Sequence, residues 1–115
     1  MAISRKSAIL KAREYLAVRP VFLDTETTGL DPSAEIVEIS VVDQDGEIIL
    51  DTLVKPTRQI PADAIRIHGI TDDMVKNAPT WPEVWTNVIQ AVTGRYIGIY
   101  NADFDLRMVR QSHLI

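Results

Sequence analysis

The sequence contains no cysteine, which excludes a disulfide framework and any zinc site with cysteine ligands. It has no apolar run long enough to cross a membrane, and its N-terminus lacks the continuous apolar core of a signal peptide. We therefore expect a cytoplasmic protein. The 115 residues, 46% of them hydrophobic, suffice for one domain, and no internal repeat, low-complexity tract or linker divides them.

Basic charge is scarce beyond residue 19. Residues 1–19 form a predicted basic helix with five cations and one acid, whereas residues 20–115 hold seven cations and fifteen acids. Residues 20–115 are therefore acidic, unlike the basic surface of a protein that binds phosphates directly. A divalent metal would have to bridge the acidic residues and the phosphates. Two interpretations of the basic helix are open: a nucleic-acid-binding arm, or a solvated helix that packs its apolar side chains inward. We favour inward packing of Ile9, Leu10, Leu16 and Val18.

Two acids stand two residues apart in the run FLDTETTGL at positions 22–30. Residues two apart share a face of a strand, so a strand over residues 21–25 would point Asp24 and Glu26 to one side and its apolar residues to the other. The turn at residues 27–32 would open the site there. Acids are common at strand ends, and the pair is weak evidence alone, but two carboxylates this close need a cation.

A second acidic segment follows a predicted strand at residues 95–100. It reads Asn101-Ala102-Asp103-Phe104-Asp105 and begins the last predicted helix. A carboxylate in a first helical turn is stabilised in its ionised form by the helix dipole, which suits a metal ligand. A third segment, Ile67-His68-Gly69-Ile70-Thr71, lies between the two acidic ones.

Periodicity and turn residues predict the remaining elements. Strands are expected at residues 35–43 and 47–54, joined by a tight turn at Asp45-Gly46, and short helices at residues 60–69 and from 71. The clearest helix runs over residues 81–93, with Thr80 and Glu83 in capping-box spacing. Its apolar stripe is predicted to be core: Trp81, Val84, Trp85, Val88, Ile89 and Val92.

The three segments together resemble the DnaQ-like, or DEDD, family of 3'-to-5' exonucleases. Its first motif is similar to Asp24-Thr25-Glu26, its second to Asn101-Ala-x-Phe104-Asp105, and relatives commonly carry a His-Gly-Ile segment like that at His68. The resemblance spans roughly residues 20–115, and the joint spacing is far more specific than any one motif. It implies an α/β, ribonuclease H-like fold: a mixed sheet of a three-strand antiparallel meander plus a parallel strand, flanked by helices, with the first strand central.

The resemblance also implies the roles of individual residues. Two Mg²⁺ or Mn²⁺ ions would be held about 4 Å apart: Asp24 would bridge both, Glu26 would bind one, and Asp105 the other directly or through water. Oxygen ligands suit such hard cations. The backbone around Thr27, together with His68, would contact the terminal nucleotide.

Three positions depart from the family pattern or stand outside it. Tyr100 replaces a histidine common in relatives, at a position that is not a metal ligand. Asp103 occupies a variable position and is expected to cap the last helix. The family's third motif, a histidine or tyrosine general base followed by a fourth carboxylate, is absent, because the sequence ends at Ile115. His113 does not replace it, since it follows Asp105 by eight residues on one predicted helix and no acid comes after it.

We therefore expect residues 20–115 to be a partial exonuclease domain that lacks the last strand and helices of the fold. Two outcomes stay open for its activity: metal-dependent hydrolysis, or inactivity for lack of the third motif. An exposed strand edge would favour self-association. The implied partners are single-stranded or frayed DNA 3' ends, with RNA as the alternative, and a DNA polymerase subunit. A 3'-to-5' exoribonuclease and a non-catalytic binding fragment stay open, because discrimination of DNA from RNA depends on contacts to the 2'-hydroxyl.

Overall fold

The computed structural model describes residues 5–99 and 102–114, with only the backbone of Tyr15 described. The elements in chain order are α1 (Arg5–Ala17), β1 (Val21–Thr27), β2 (Ile36–Asp43), β3 (Ile48–Leu53), α2 (Ala62–His68), α3 (Asp72–Val75), α4 (Trp81–Val92), β4 (Ile97–Ile99) and α5 (Ala102–His113). The predictions made for Tyr100 and Asn101 fall outside the described residues. None of the described helices has the length and apolarity needed to span a membrane.

The four strands form one mixed sheet in the order β3-β2-β1-β4. β1, β2 and β3 are antiparallel neighbours, and β4 pairs with β1 in parallel, which confirms the predicted meander with one parallel strand and an interior β1. The tight turn between β2 and β3 is also confirmed. There Gly46 takes a φ of 84°, and the Asp43 carboxylate accepts the N–H groups of Asp45 and Glu47, each at 2.9 Å.

Side chains along β1 alternate between the core and the opposite face, as the spacing predicted. Val21 and Leu23 point into the main core, where the fully buried Val84 of α4 and Met108 of α5 cover them. A smaller core forms around Val37 of β2, under α2 and α3. α5 therefore packs on the Thr25 side of β1, and this packing brings the two acidic segments together.

The predicted inward packing of α1 is wrong. Ile9, Leu10, Leu16 and Val18 are 43%, 50%, 47% and 45% exposed. The reason lies in the helical spacing: Arg5 and Arg13 stand four residues before and after Ile9, so the face that carries Ile9 also carries cations. A helix without a continuous apolar stripe has no face to bury.

α4 differs from its prediction at two positions. Its buried stripe consists of Trp81, Val84, Val88 and Ala91, and Ile89, one residue beyond that stripe, is 42% exposed. The Thr80 hydroxyl makes no capping hydrogen bond, so the predicted capping box is wrong. Thr80 instead has extended backbone that pairs with Lys55, while its carbonyl accepts the first helical N–H groups.

The end of α5 agrees with the interpretation of His113 as a helix-end residue. His113 is the last residue of that helix, and its ring packs edge-on against Trp85 with centroids 4.5 Å apart. Asp103, by contrast, lies inside the first turn of α5 rather than at its cap position. His113 therefore lies at the opposite end of α5 from the acidic residues of its first turn.

Candidate active site

Asp24 and Glu26 lie on one face of β1, near the end of the strand. Asp24 is exposed and Glu26 is half-buried. Their partners on β2 are Ser40 and Glu38, and the pairing register shifts just after Glu26. None of the ion pairs among the described residues includes either acid. Within the described part of the chain, the two carboxylates therefore share a face and neither has an ion-pair partner.

Asp105 reaches β1 from the other side. It is 4% exposed, and the buried Thr25 hydroxyl donates a hydrogen bond of 2.5 Å to its carboxylate. Burial raises the pKa of Asp105 above its ordinary value; the Thr25 hydrogen bond opposes this, and the nearby charge of Asp24 raises the pKa further. The site thus contains a buried carboxylate whose pKa is raised by burial and by the charge of a second acid and which has no ion-pair partner among the described residues.

Glu38 adds negative charge to the face that carries Asp24 and Glu26. It lies directly opposite Glu26 across β1 and β2, an arrangement that is unfavourable for like charges. Burial raises the pKa of Glu38, and so do the charges of Asp51, Glu26 and Asp24. A bound cation would relieve this repulsion.

A cavity of about 570 Å³ opens beside Glu26. Its apolar walls come from Leu30 of the loop after β1, Ile67 of α2 and Phe104 of α5. Pockets of this size, mostly apolar with a few polar groups at one end, are typical of small-molecule and cofactor sites. The cavity could hold a base and sugar, with the attached phosphate towards the acids.

His68 lines this cavity, and hydrogen bonds to the backbone hold its ring in place. The Ile70 N–H donates to Nδ1 at 3.0 Å, so Nε2 carries the ring proton and donates to the Thr27 carbonyl, also at 3.0 Å. His68 thereby connects the end of α2 to the end of β1. Its contact with a terminal nucleotide stays a prediction, and such a contact would use the ring face because both nitrogens are engaged.

α5 holds the loop that forms one side of the cavity. Arg107 donates to the Leu30 carbonyl at 2.9 Å, and Gln111 donates to the carbonyls of Ala34 and Asp31 at 3.0 and 3.2 Å. The same helix carries Asp105. The positions of the cavity wall and of the buried acid are therefore set by one element.

Sequence reasoning missed four residues of this arrangement: Thr25, Glu38, Arg107 and Gln111. Thr25 is the unassigned middle residue of Asp24-Thr25-Glu26, and its hydroxyl at a core-facing position was the available signal, since a buried hydroxyl needs a partner. Alternation along β2 showed that Glu38 was on the polar face. Its position opposite Glu26 depends on a pairing register that the sequence does not give.

The acids can be tested against the metal ions that the resemblance implies. No three histidine, aspartate or glutamate side chains within residues 5–99 and 102–114 lie close enough together to hold a metal, and Asp105 is bonded to Thr25, on the opposite side of β1 from Asp24 and Glu26. The donor chemistry fits, because all three acids offer oxygen ligands and have no cation partner within the described ranges. Asp24 and Glu26 share one face of β1, so these two acids offer oxygen donors on the same side of the strand.

The bond from Thr25 to Asp105 makes a prediction about stability. Thr25→Val should lower the free energy of unfolding by about 1–3 kcal/mol, because it leaves a buried carboxylate without its donor. Urea denaturation of the metal-free chain measures this. Thr25→Ser, which keeps the hydroxyl, is the matched control and should lower the free energy of unfolding by less. Equal stability of Thr25→Val and the wild type would mean that the bond contributes nothing.

Comparison with known proteins places the chain among nucleases. A family model described as exonuclease, RNase_T, matches residues 21–113. An uncharacterized exonuclease of Escherichia phage 186 is 47% identical over 112 residues, which cover 97% of this chain and 58% of the phage protein. The DNA polymerase III subunit epsilon of Rickettsia felis is 32% identical over 102 residues, covering 84% of this chain and 44% of that protein. The chain thus spans about half the length of these two relatives.

Solved structures show the same relationship. Exonuclease X, in complex with 5'-overhanging duplex DNA, superposes with a TM-score of 0.62 at 39% identity, over 77% of this chain and 52% of that one. Escherichia coli exonuclease I in complex with an oligonucleotide gives a TM-score of 0.67 at 20% identity, over 82% of this chain and 23% of that one, a likeness of fold. Both support the ribonuclease H-like arrangement. Because the family match runs from the first residue of β1 to the last residue of α5, the chain belongs to this exonuclease family.

Proposed function

We propose that this chain forms the acid pair and nucleotide pocket of a metal-dependent exonuclease that removes nucleotides from the 3' ends of DNA. One observation carries the proposal: Glu26 lines a largely apolar cavity of about 570 Å³ and shares a face of β1 with Asp24, and neither acid has an ion-pair partner among the described residues. That combination suits a ligand with an apolar ring at one end and a phosphate at the other, joined to the protein through a cation.

The cavity provides binding and orientation. Leu30, Ile67 and Phe104 would pack against the base and sugar of the last nucleotide. The loop held by α5 and the segment fixed by His68 both line the cavity, so two fixed segments would position the nucleotide. Positioning a reacting group in this way contributes a large part of the rate in phosphoryl transfer.

The acids provide the metal ligands. We propose that Asp24 and Glu26 hold Mg²⁺ or Mn²⁺, and that Asp105 joins them when its carboxylate leaves Thr25. Two such ions activate a water and stabilise the charge that develops on a phosphate during hydrolysis. Without a cation, the acids Asp24, Glu26 and Glu38 would repel the substrate phosphate, so binding at this end should itself depend on metal.

The relatives favour DNA as the substrate and a polymerase as a partner. The solved structure of exonuclease X is a complex with 5'-overhanging duplex DNA, and the Rickettsia felis relative is named as a DNA polymerase III subunit. By analogy we propose that single-stranded or frayed DNA 3' ends are the substrate and that a DNA polymerase subunit is the partner. Such work on bacterial or phage DNA would take place in the cytoplasm.

The decisive experiment compares two labelled strands of one sequence, DNA and RNA, at a single salt concentration with Mn²⁺ or with EDTA. The proposal expects a 5'-labelled DNA strand to shorten stepwise from its 3' end only with Mn²⁺, and the RNA strand to shorten more slowly. Faster RNA degradation would establish the exoribonuclease alternative instead. Hydrolysis that persists in EDTA would exclude the proposed chemistry.

Titration calorimetry with Mn²⁺ gives a readout that does not depend on turnover. Heat of binding without hydrolysis would mean that this chain holds metal but does not complete the reaction alone, as expected of a non-catalytic fragment. Absence of both heat and hydrolysis would reject the metal site.

A further inference from the structure

α1 is the most basic part of the chain and is the element least engaged with the rest of it. All of its described side chains are exposed, and no ion pair among the described residues involves its cations. Glu14 is its single acid. The four cations are Arg5, Lys6, Lys11 and Arg13.

The base of α1 is fixed to the sheet. Arg19, two residues after the end of α1, has a φ of 52°, and its guanidinium donates to Asp45 of the turn between β2 and β3 at 2.7 Å. Val21 then begins β1 beside Asp43. α1 therefore extends from the end of the sheet where β1 starts, whereas Asp24 and Glu26 lie towards its other end.

The separation of α1 from the acids can be estimated from the strand. The seven steps along the chain from Arg19 to Glu26 span about 23 Å at 3.3 Å per residue. Successive phosphates of a stacked strand are about 3.4 Å apart along the helix axis, so about seven nucleotides cover the same distance. A strand whose end lies in the cavity could thus reach the base of α1.

We propose that α1 binds the phosphate backbone of the nucleic acid strand whose 3' end occupies the cavity, about seven or more nucleotides from that end. Charge complementarity supports this partner, because the four cations face solvent while the body of the chain is acidic. Its apolar residues do not form the continuous stripe that a helix uses to enter a protein groove, since Arg5 and Arg13 share the face of Ile9. The proposal rests on the proposed function for the position of the 3' end.

The test measures binding of fluorescent oligothymidylates in Mn²⁺, because the cavity end is expected to bind only with metal; phosphorothioate linkages at the 3' end of each strand slow hydrolysis. The variant carries glutamine at all four positions: Arg5→Gln, Lys6→Gln, Lys11→Gln and Arg13→Gln. For strands of about twenty nucleotides, the variant should bind about 10- to 100-fold more weakly at low salt, and the slope of log K against log salt should fall by about 3, since each single-strand contact contributes about 0.7. For strands of about four nucleotides, variant and wild type should bind equally.

A second variant controls for the loss of net charge. It replaces four exposed cations that neither line the cavity nor belong to α1: Lys55→Gln, Arg58→Gln, Lys76→Gln and Arg110→Gln. It should bind long strands nearly as well as the wild type. Glutamine is a good helix former, so circular dichroism should show α1 retained in the first variant.

Several outcomes would overturn the proposal. The first is an equal loss of affinity for long strands in the two variants. The second is the same loss of affinity for short and long strands in the α1 variant. The third is no binding of long strands by the wild type at low salt. Light scattering that shows a dimer of wild type and a monomer of the α1 variant, with strand binding unchanged, would instead assign α1 to a second copy of the chain. Failure of the proposed function looks different: long strands would bind through α1 while neither hydrolysis nor Mn²⁺ heat is found.

Discussion

Asp24→Asn is expected to lower metal-dependent hydrolysis by about 10³-fold or more, while the chain stays folded. A metal ion contributes several kcal/mol to stabilising the charge of such a transition state, and each 1.36 kcal/mol corresponds to about tenfold in rate. Asp24 is exposed and makes no ion pair within the described residues, so its replacement removes a metal ligand without opening the core. Initial rates on a 5'-labelled DNA strand measure the effect, and urea denaturation checks the fold.

Asp51→Asn is the matched control for Asp24→Asn. Asp51 lies on the same face of the sheet, two strands away, and accepts a hydrogen bond from Ser40 at 2.9 Å. It also contributes to the raised pKa of Glu38, but it is not a proposed ligand, so its replacement should leave hydrolysis and Mn²⁺ heat nearly unchanged. If Asp51→Asn lowers hydrolysis and Mn²⁺ heat as much as Asp24→Asn does, then the total negative charge of this face matters rather than a specific metal site. Full activity of Asp24→Asn would assign the hydrolysis to another site or to a contaminant.

The parts of the fold set by local chemistry were predictable from the sequence. Alternation along residues 21–25 predicted that Asp24 and Glu26 share the face that points away from the core. One face of that strand is buried, so a shift of one residue would move every side chain to the other face. The turn at Asp45-Gly46 gave the meander, because glycine adopts positive φ without strain. The order β3-β2-β1 then followed from short connections, whereas the place of β4 beside β1 was implied by the family resemblance.

The parts that depend on neighbours were not predictable. Ile89 belongs to the apolar pattern of α4, but the width of the buried stripe depends on what covers the helix, and here Val88 and Ala91 face the core instead. The exposure of α1 is different in kind, because its helical spacing already indicated it: Arg5 and Arg13 share the face of Ile9, so α1 has no continuous apolar stripe. The pairing of Thr25 with Asp105 joins residues 80 positions apart, and only the packing of α5 on the Thr25 side of β1 creates it.

Asp105→Asn is expected to have opposite effects on metal binding and on stability. We expect Mn²⁺ affinity to fall by at least about 100-fold, more than the loss of a residue that only supports a ligand, and hydrolysis to fall with it. In the metal-free chain at neutral pH the same change should raise the free energy of unfolding. Asparagine keeps an oxygen that can accept from Thr25 but carries no charge into the buried position.

The sign of the stability effect follows from the pKa of Asp105. Burial raises that pKa in the folded chain, so the folded chain holds the proton more tightly than the unfolded chain does. Its carboxyl contributes most to stability when protonated, below the ordinary pKa of 3.8, and this contribution is lost as the pH rises through the raised pKa. The advantage of Asp105→Asn should therefore be largest at neutral pH and should shrink as the pH approaches 3.8.

Asp103→Asn is the control that distinguishes the effect of the buried Asp105 carboxylate from the effect of negative charge at the start of α5. Asp103 stands two residues earlier in the same first turn of α5 and is exposed, so both substitutions remove one charge from the same helix end. Asp103→Asn should leave Mn²⁺ affinity unchanged and should stabilise the chain less than Asp105→Asn, if at all. Equal effects of the two substitutions would show that helix charge, rather than the buried carboxylate, governs both properties. A stable Asp105→Asn chain that no longer binds Mn²⁺ would show that this buried acid is retained for the metal at a cost to the stability of the fold.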